Sequence, residues 1–329
     1  MFCFTFLTTA ENTLVTRYLY IVCSNVMCLF KQFSAILTRR KNLVASFGHQ
    51  TYTINGKTVY LKWIKTNHKD IRIASANGYN IYDYCKKNNS YGINGTFFCT
   101  STGTPAGYNY YDVHKIAMTN ANPGVTNVSA VRNYGATNVA ENGACVLFCQ
   151  NHMTAEIPYM VYSANHSGNL SNFTYQGHDL DMKNILWAIG GFNLCLNQSF
   201  ASDSAYNAQV PSYLHGNHPR TAMFYIGGSS AGENMVLLTV FNDANMYTSD
   251  NSSNTGLLSS NSGGITPAEL RTIIKTVFPA ATTHGILLDG GASTGIVYKG
   301  VSGNRFSQMV KEHGVNSPRI ANNLVLTTM

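Results

Sequence analysis

Residues Thr266–Gly300, TPAELRTIIKTVFPAATTHGILLDGGASTGIVYKG, hold the best-defined helix of the chain, a short apolar strand, and a carboxylate set against a glycine turn. Thr266 is a good N-cap, Pro267 takes the first helical position, and Glu269, three residues after the cap, completes a capping box. Leu270, Ile273, Ile274, Val277 and Phe278 recur at helical spacing, one apolar stripe suited to docking on a sheet. Pro279 stops the helix. Gly285–Leu288 is short and apolar, reads as a buried strand, and delivers Asp289 to its end. Gly290 and Gly291 let the backbone turn tightly and leave amide N–H groups accessible to an anion. Ser293 and Thr294 add hydroxyls before a second strand over Ile296–Tyr298. Seen alone, an Asp-Gly-Gly turn reads first as a local device, because Asp and Gly favour turns for backbone reasons.

The composition suits such a fold. At 329 residues, 44% of them hydrophobic, the chain has ample material for a core. Charged residues make up only 11%, against a typical share of about 25%. Polar surface therefore falls to Asn, Ser, Thr and Tyr, which favours strands and turns. The net charge is +7, of which +4 sits in residues 1–50, so the remainder is close to balanced. A basic nucleic-acid surface is not supported. The eight cysteines form no CxxC pair and no zinc spacing, and core packing is the better reading for Cys145 and Cys149.

Upstream, the chain divides into a 1–47 extension and a 48–329 domain. Tyr18–Leu37 approaches membrane-span length but is interrupted by Ser24, Asn25, Lys31, Gln32 and Ser34. For residues 1–47 the readings are a packed or partner-binding helix, a poor signal or anchor segment, or non-native upstream sequence. Tyr52–Ile54 and Thr58–Ile64 alternate around Asn55-Gly56, a two-residue hairpin signal. Asp70–Ala76 continues as a strand, Tyr79–Lys87 reads as a short helix, and Ala144–Phe148 as a further strand. Asn94-Gly95 offers either a hairpin turn or a ligand-facing amide beside a backbone that permits close approach. Arg220, in Pro219-Arg220-Thr221-Ala222, is the basic residue best suited to an anion, since a guanidinium forks two donors toward phosphate or carboxylate. Its structural alternative is an ion pair with Asp289 or another acid. His218, two residues earlier, moves protons near neutral pH or serves a turn.

These segments together resemble the phosphodiester glycosidase family. The likeness rests on Gly264-Ile265-Thr266 with Glu269-Leu270, on Leu288–Thr294, on Asn94–Phe98, on Asn184–Asn197 with its Gly190-Gly191 turn, and on Arg220-Thr221-Ala222. Pro318–Leu324 adds a closing strand, from which Asn322 carries over. Phe192-Asn193 replace the family's third Gly and Pro, and Asn242-Asp243 lacks the family's following Gly-Arg. Asp243 is thus a weaker candidate than Asp289. Of the nearby His178, Asp179 and Asp181, the acids read as a solvated turn.

The resemblance implies a hydrolase acting on a sugar joined through its anomeric oxygen to a phosphodiester, releasing the sugar and leaving a phosphomonoester. It implies Asp289, Arg220 and His218 as the catalytic set. Asn94, Gly95, Gly290, Gly291, Ser293, Thr294 and Asn322 would contact substrate. Asp289 would serve as nucleophile, base or metal ligand, so a divalent metal stays open as a cofactor. The expected fold is a single α+β domain on a large mixed, mostly antiparallel sheet with few helices. The competing reading is a glycan-binding or depolymerase module of a phage particle or cell surface, held there or at a membrane through residues 1–47. Either way the expected setting is extracellular, cell-surface or virion-associated. Nucleotide binding at the glycine turn is disfavoured, because neither GxGxxG nor GxxxxGK[ST] occurs.

Overall fold

A computed structural model describes residues 45–76, 79–97, 117–119, 129–130, 144–151, 159–165, 174–175, 178–179, 185–228, 232–242, 255–258, 263–281, 284–299, 305–310 and 323–327. Residues 45–329 form one compact unit. Asp181, Asp243, Arg319, Asn322 and the segment Tyr18–Leu37 lie outside the described residues. Among those described, no helix is long and apolar enough to cross a membrane.

In chain order the strands are β1 (Ser46–Ile54), β2 (Lys57–Thr66), β3 (Ile71–Ser75), β4 (Tyr91–Asn94), β5 (Ala117–Thr119), β6 (Ser129–Ala130), β7 (Ala144–Asn151), β8 (Tyr159–Asn165) and β9 (Thr174–Tyr175). There follow β10 (His178–Asp179), β11 (Ile185–Asn193), β12 (Arg220–Tyr225), β13 (Met235–Phe241), β14 (Thr255–Leu258), β15 (Gly285–Leu288), β16 (Gly295–Lys299), β17 (Arg305–Val310) and β18 (Asn323–Thr327). The large sheet runs β1-β2-β13-β12-β15-β11-β5-β6, with β7 also on β11 and β8 beyond β7. A second sheet runs β14-β17-β16-β4-β18-β3. Every described pairing is antiparallel except β14 with β17, which makes the architecture mixed and mostly antiparallel, as expected. The expectation of one large sheet misses the second. Its strands come from both ends of the domain, so their pairing is non-local.

Alternation along each strand explains the layering. Ile286 and Leu288 join Met223, Leu237, Ile93, Ile296 and Val325 in a core between the two sheets. Leu287 points the other way and joins Ala222, Phe224, Val236 and Leu238 beneath the helix Pro267–Val277. Each of Leu270, Ile273 and Ile274 is fully buried there, worth roughly 1.5–3 kcal/mol per side chain relative to exposure. On the outer face of the second sheet, Val297, Leu324 and Leu326 pack against Ile81 and Cys85 of the helix Ile81–Lys87. Cys145 and Cys149 are buried in the inter-sheet core, where burial pushes both thiols well above the usual range.

Local signals fix the register. Asn55-Gly56 makes the two-residue hairpin turn between β1 and β2, with Ile54 opposite Lys57. Thr266 accepts from the Glu269 N–H at 3.2 Å, and Glu269 accepts from the Thr266 N–H at 2.9 Å, the reciprocal capping pair. Lys57 and Asn55 also reach Glu269 at 2.9 Å, tying the hairpin tip to the helix start. Burial works to raise the Glu269 carboxyl, but the Thr266 N–H, Lys57 and Asn55 outweigh it and hold it below the usual carboxylate range.

Two expectations are corrected. Gly190 and Gly191 do not form a turn; they lie inside β11, opposite Val146 and Cys145. Gly191 is required there because a Cβ would sit 2.4 Å from the Leu287 carbonyl oxygen of β15. The turn comes later, around Leu196-Asn197, with Cys195 at φ 47°. Arg271 of the helix holds it, donating to the carbonyls of Leu194 at 3.1 Å and Cys195 at 3.2 Å. His178-Asp179 is a short strand paired with Thr174-Tyr175, where a solvated turn is expected from the sequence.

Gly191→Ala is therefore expected to lower the free energy of unfolding by about 1–3 kcal/mol, the cost of overpacking against backbone that cannot move aside. Urea unfolding measures it, and an unchanged midpoint would contradict the close packing of β15 on β11.

Candidate functional site

The ends of β4, β12 and β15 and the start of β16 meet at one edge of the two sheets. Their meeting point is the Asn94 amide. Asn94 Nδ2 donates to the Asp289 carbonyl at 2.8 Å. Its Oδ1 accepts from the Thr221 hydroxyl at 2.7 Å and from the Gly295 N–H at 3.0 Å. The Asp289 N–H in turn donates to the Gly95 carbonyl at 3.1 Å. Asn94 is 1% exposed. Both acceptor positions on its oxygen are filled, so its task is to clamp strands from two sheets together. The sequence expectation gave it to the ligand, and the geometry gives it to the protein. Gly95 does not form a hairpin turn either; it continues from β4 into the buried segment that pairs with Asp289.

Asp289 follows β15 and is half-buried. Its Oδ1 accepts from the Gly290 N–H at 2.9 Å. Gly290 lies directly on the start of β12, where a Cβ would come within 2.7 Å of the Pro219 carbonyl oxygen. Gly291, at φ +57°, donates its N–H to that carbonyl at 2.9 Å. The N–H groups of Ser293 and Thr294 donate back to Gly290 at 3.1 Å and Gly291 at 3.2 Å. The expected cradle of open amides is thus occupied: those four N–H groups donate to Asp289 Oδ1, the Pro219 carbonyl and the carbonyls of Gly290 and Gly291. What remains unsatisfied is on the side chains. Ser293 Oγ and Thr294 Oγ1 are buried with no hydrogen-bond partner, and their residues are only 7% and 2% exposed.

Arg220 opens β12 and is 2% exposed. Its Nε donates to the Ile265 carbonyl at 2.9 Å, and its Nη2 donates to the carbonyls of Leu214, at 2.6 Å, and Gly216. Three of five donors therefore hold the 214–216 loop and the start of the helical segment in place. Burial lowers its guanidinium to about 10, opposed by the negative charges of Asp289 and Glu269 nearby and by Tyr206. The expected alternative of an ion pair gives way to this carbonyl cage, although the positive charge stays close to Asp289. His218 is exposed and joins Ile265 through a backbone bridge, with N–H···O distances of 3.3 and 3.0 Å. Partial burial of its ring and the neighbouring Arg220 charge lower its pKa below the usual histidine value.

The structure thus brings Asn94, Gly95, Arg220, Asp289, Gly290 and Gly291 together and leaves His218 at the rim. Thr221 completes the clamp and is absent from the sequence expectation, although it sits beside Arg220 in the quoted motif. Among the described residues, no group of three or more His, Cys, Asp or Glu could hold a metal ion.

No protein-family model matches the sequence, and no curated protein matches it. Solved structures do. The catalytic domain of zebrafish N-acetylglucosamine-1-phosphodiester alpha-N-acetylglucosaminidase, auto-inhibited by its pro-peptide, superposes with a TM-score of 0.52. The match covers 87% of this chain and 83% of that one, at 13% identity. The fold is shared with a glycosidase. At that identity the likeness is one of fold. A hypothetical protein from Synechocystis matches over 86% of this chain and 62% of its own, at 13% identity and a TM-score of 0.42.

Asn94→Ala strands a hydroxyl, an N–H and a carbonyl, each costing about 1–3 kcal/mol when left unpaired and buried. The variant is expected to lose roughly 3 kcal/mol or more of unfolding free energy. Thr221→Val, which removes one bond of the three, is expected to lose about 1 kcal/mol. Urea unfolding of both variants checks this, and wild-type stability in Asn94→Ala would return the residue to a ligand-facing role.

Proposed function

We propose that residues 45–329 form a glycoside hydrolase acting on a sugar-1-phosphodiester, releasing the sugar and leaving a phosphomonoester. The observation that carries this reading is Asp289: a half-exposed carboxylate whose backbone and neighbours are fixed from several directions by buried contacts. Preorganisation of that kind suits a group that must meet developing charge without rearranging. The shared fold with a glycosidase catalytic domain supports the same reaction class.

Glycosidic cleavage passes through an oxocarbenium-like state, which an adjacent carboxylate stabilises. Asp289 is assigned that role. A phosphate already leaves well, so its charge needs neutralising more than its oxygen needs protonating. The Ser293 and Thr294 hydroxyls, unpartnered inside the protein, are assigned to substrate oxygens. Asn94, Thr221 and Arg220 act as positioning residues, holding the Asp289 turn rather than touching the sugar.

Asp289→Asn keeps an acceptor for the Gly290 N–H but removes the charge. Release of sugar from sugar-1-phosphodiesters is expected to fall about 100-fold or more, with the thermal unfolding midpoint nearly unchanged. Retained turnover, or collapse of the fold, would overturn the assignment. Wild-type protein that binds glycan but releases no sugar would instead favour the binding module.

A further inference from the structure

We propose that a cavity on the outer face of the second sheet binds a small hydroxylated organic anion, one carboxylate or phosphate on a short body that carries hydroxyls. The cavity has a volume of about 250 Å³. It is lined by Arg72, Ile73 and Ala74 of β3, by Leu326 of β18, and by Tyr84 and Asn88 at the end of the helix Ile81–Lys87. Pockets for drug-sized ligands run to roughly 300–1,000 Å³, so this one suits a body no larger than a single sugar ring. None of its residues belongs to the Asp289 cluster, and the proposal stands apart from the glycosidase reading.

Strand alternation sets the chemistry of the walls. Ile71 and Ile73 belong to the inter-sheet core, which turns Arg72 and Ala74 to the opposite face. There Arg72 stands opposite Leu326, and Ala74 opposite Leu324. Both leucines are buried beneath the helix, whereas Arg72 is exposed. Its guanidinium makes no hydrogen bond or ion pair among the described residues. The fork of N–H donors is therefore open to a carboxylate or phosphate, which it matches in shape as well as charge. Tyr84 is half-buried, and its hydroxyl has no hydrogen-bond partner among the described residues. Asn88 Nδ2 donates to the Tyr84 carbonyl at 2.9 Å, which leaves Oδ1 to accept from a ligand hydroxyl. Leu326 and Ala74 supply the apolar floor.

The C-terminal end of the helix borders the cavity, and the negative end of its dipole opposes an anion. Two features offset it. The Tyr84 carbonyl accepts from the Asn88 N–H at 2.9 Å and the Cys85 carbonyl from the Ser90 N–H at 3.1 Å, which closes the last turn. Lys86 and Lys87 stand in that turn, and with Arg72 they outnumber the helix's one acid, Asp83. That positive balance favours the approach of an anion. The plain alternative is an arginine whose stem merely covers Leu326.

The test is calorimetric titration of the full chain with glucuronate, glucose 6-phosphate and glucose, which share one ring and differ in the acid group. The wild type is expected to bind at least one of the two anions saturably, and glucose about tenfold or more weakly. The tighter of the two anions identifies the acid group of the ligand. Arg72→Met keeps the stem over Leu326 and removes the fork; it is expected to bind that anion about tenfold or more weakly than the wild type. Arg72→Lys keeps the charge alone and is expected to fall between them. Asp289→Asn, altered only at the other site, is expected to retain the Arg72-dependent binding. Binding of neither anion, equal binding of glucose, wild-type affinity in Arg72→Met, or loss of the binding in Asp289→Asn overturns the proposal. Sugar release from sugar-1-phosphodiesters reports on the glycosidase reading by itself, and its absence leaves these outcomes as they stand.

Discussion

One side-chain amide holds this architecture's working end together. Asn94 closes β4 of the smaller sheet, yet its bonds reach β12 and β15 of the larger one and β16 beside it. Each bond is worth only about 0.5–1.5 kcal/mol net. Their weight comes from what they prevent, since a buried hydroxyl, N–H or carbonyl left alone at the meeting of two sheets has no water to turn to. Because the partners are strand ends, the bonds set the spacing of the sheets where Asp289 emerges. Gly290 is then pressed onto Pro219 with no space for a side chain, and Gly291 follows at a positive φ.

That constraint sorts the site's residues by role. Groups with all their hydrogen-bonding capacity used inside the protein, or nearly so, give geometry: Asn94, Thr221, and most of the Arg220 guanidinium. Two buried groups beside the turn, the Ser293 and Thr294 hydroxyls, have no hydrogen-bond partner inside the protein.

Much of the fold is legible along the chain because its signals are local. The capping box at Thr266 and Glu269, the apolar stripe that follows, and the Asn55-Gly56 hairpin each depend on residues within a few positions of one another. So does the strand that presents Asp289. What the chain hides is pairing at long range. Gly190-Gly191 looks like a turn because two glycines usually are one; only the carbonyl of Leu287, nearly a hundred residues later, explains them as a place where strands touch. Asn94 and Arg220 look like ligand groups because all their partners but the Thr221 hydroxyl are backbone atoms, which have no letter in the sequence.

The most direct measurement is a crystal structure of the Asp289→Asn variant soaked with a sugar-1-phosphate. The account predicts the sugar's anomeric carbon beside residue 289, the phosphate against the Ser293 and Thr294 hydroxyls, and the Asn94 bonds intact. A ligand seated elsewhere, or one that displaces Asn94 from Asp289 and Thr221 to make its own contacts, would contradict it.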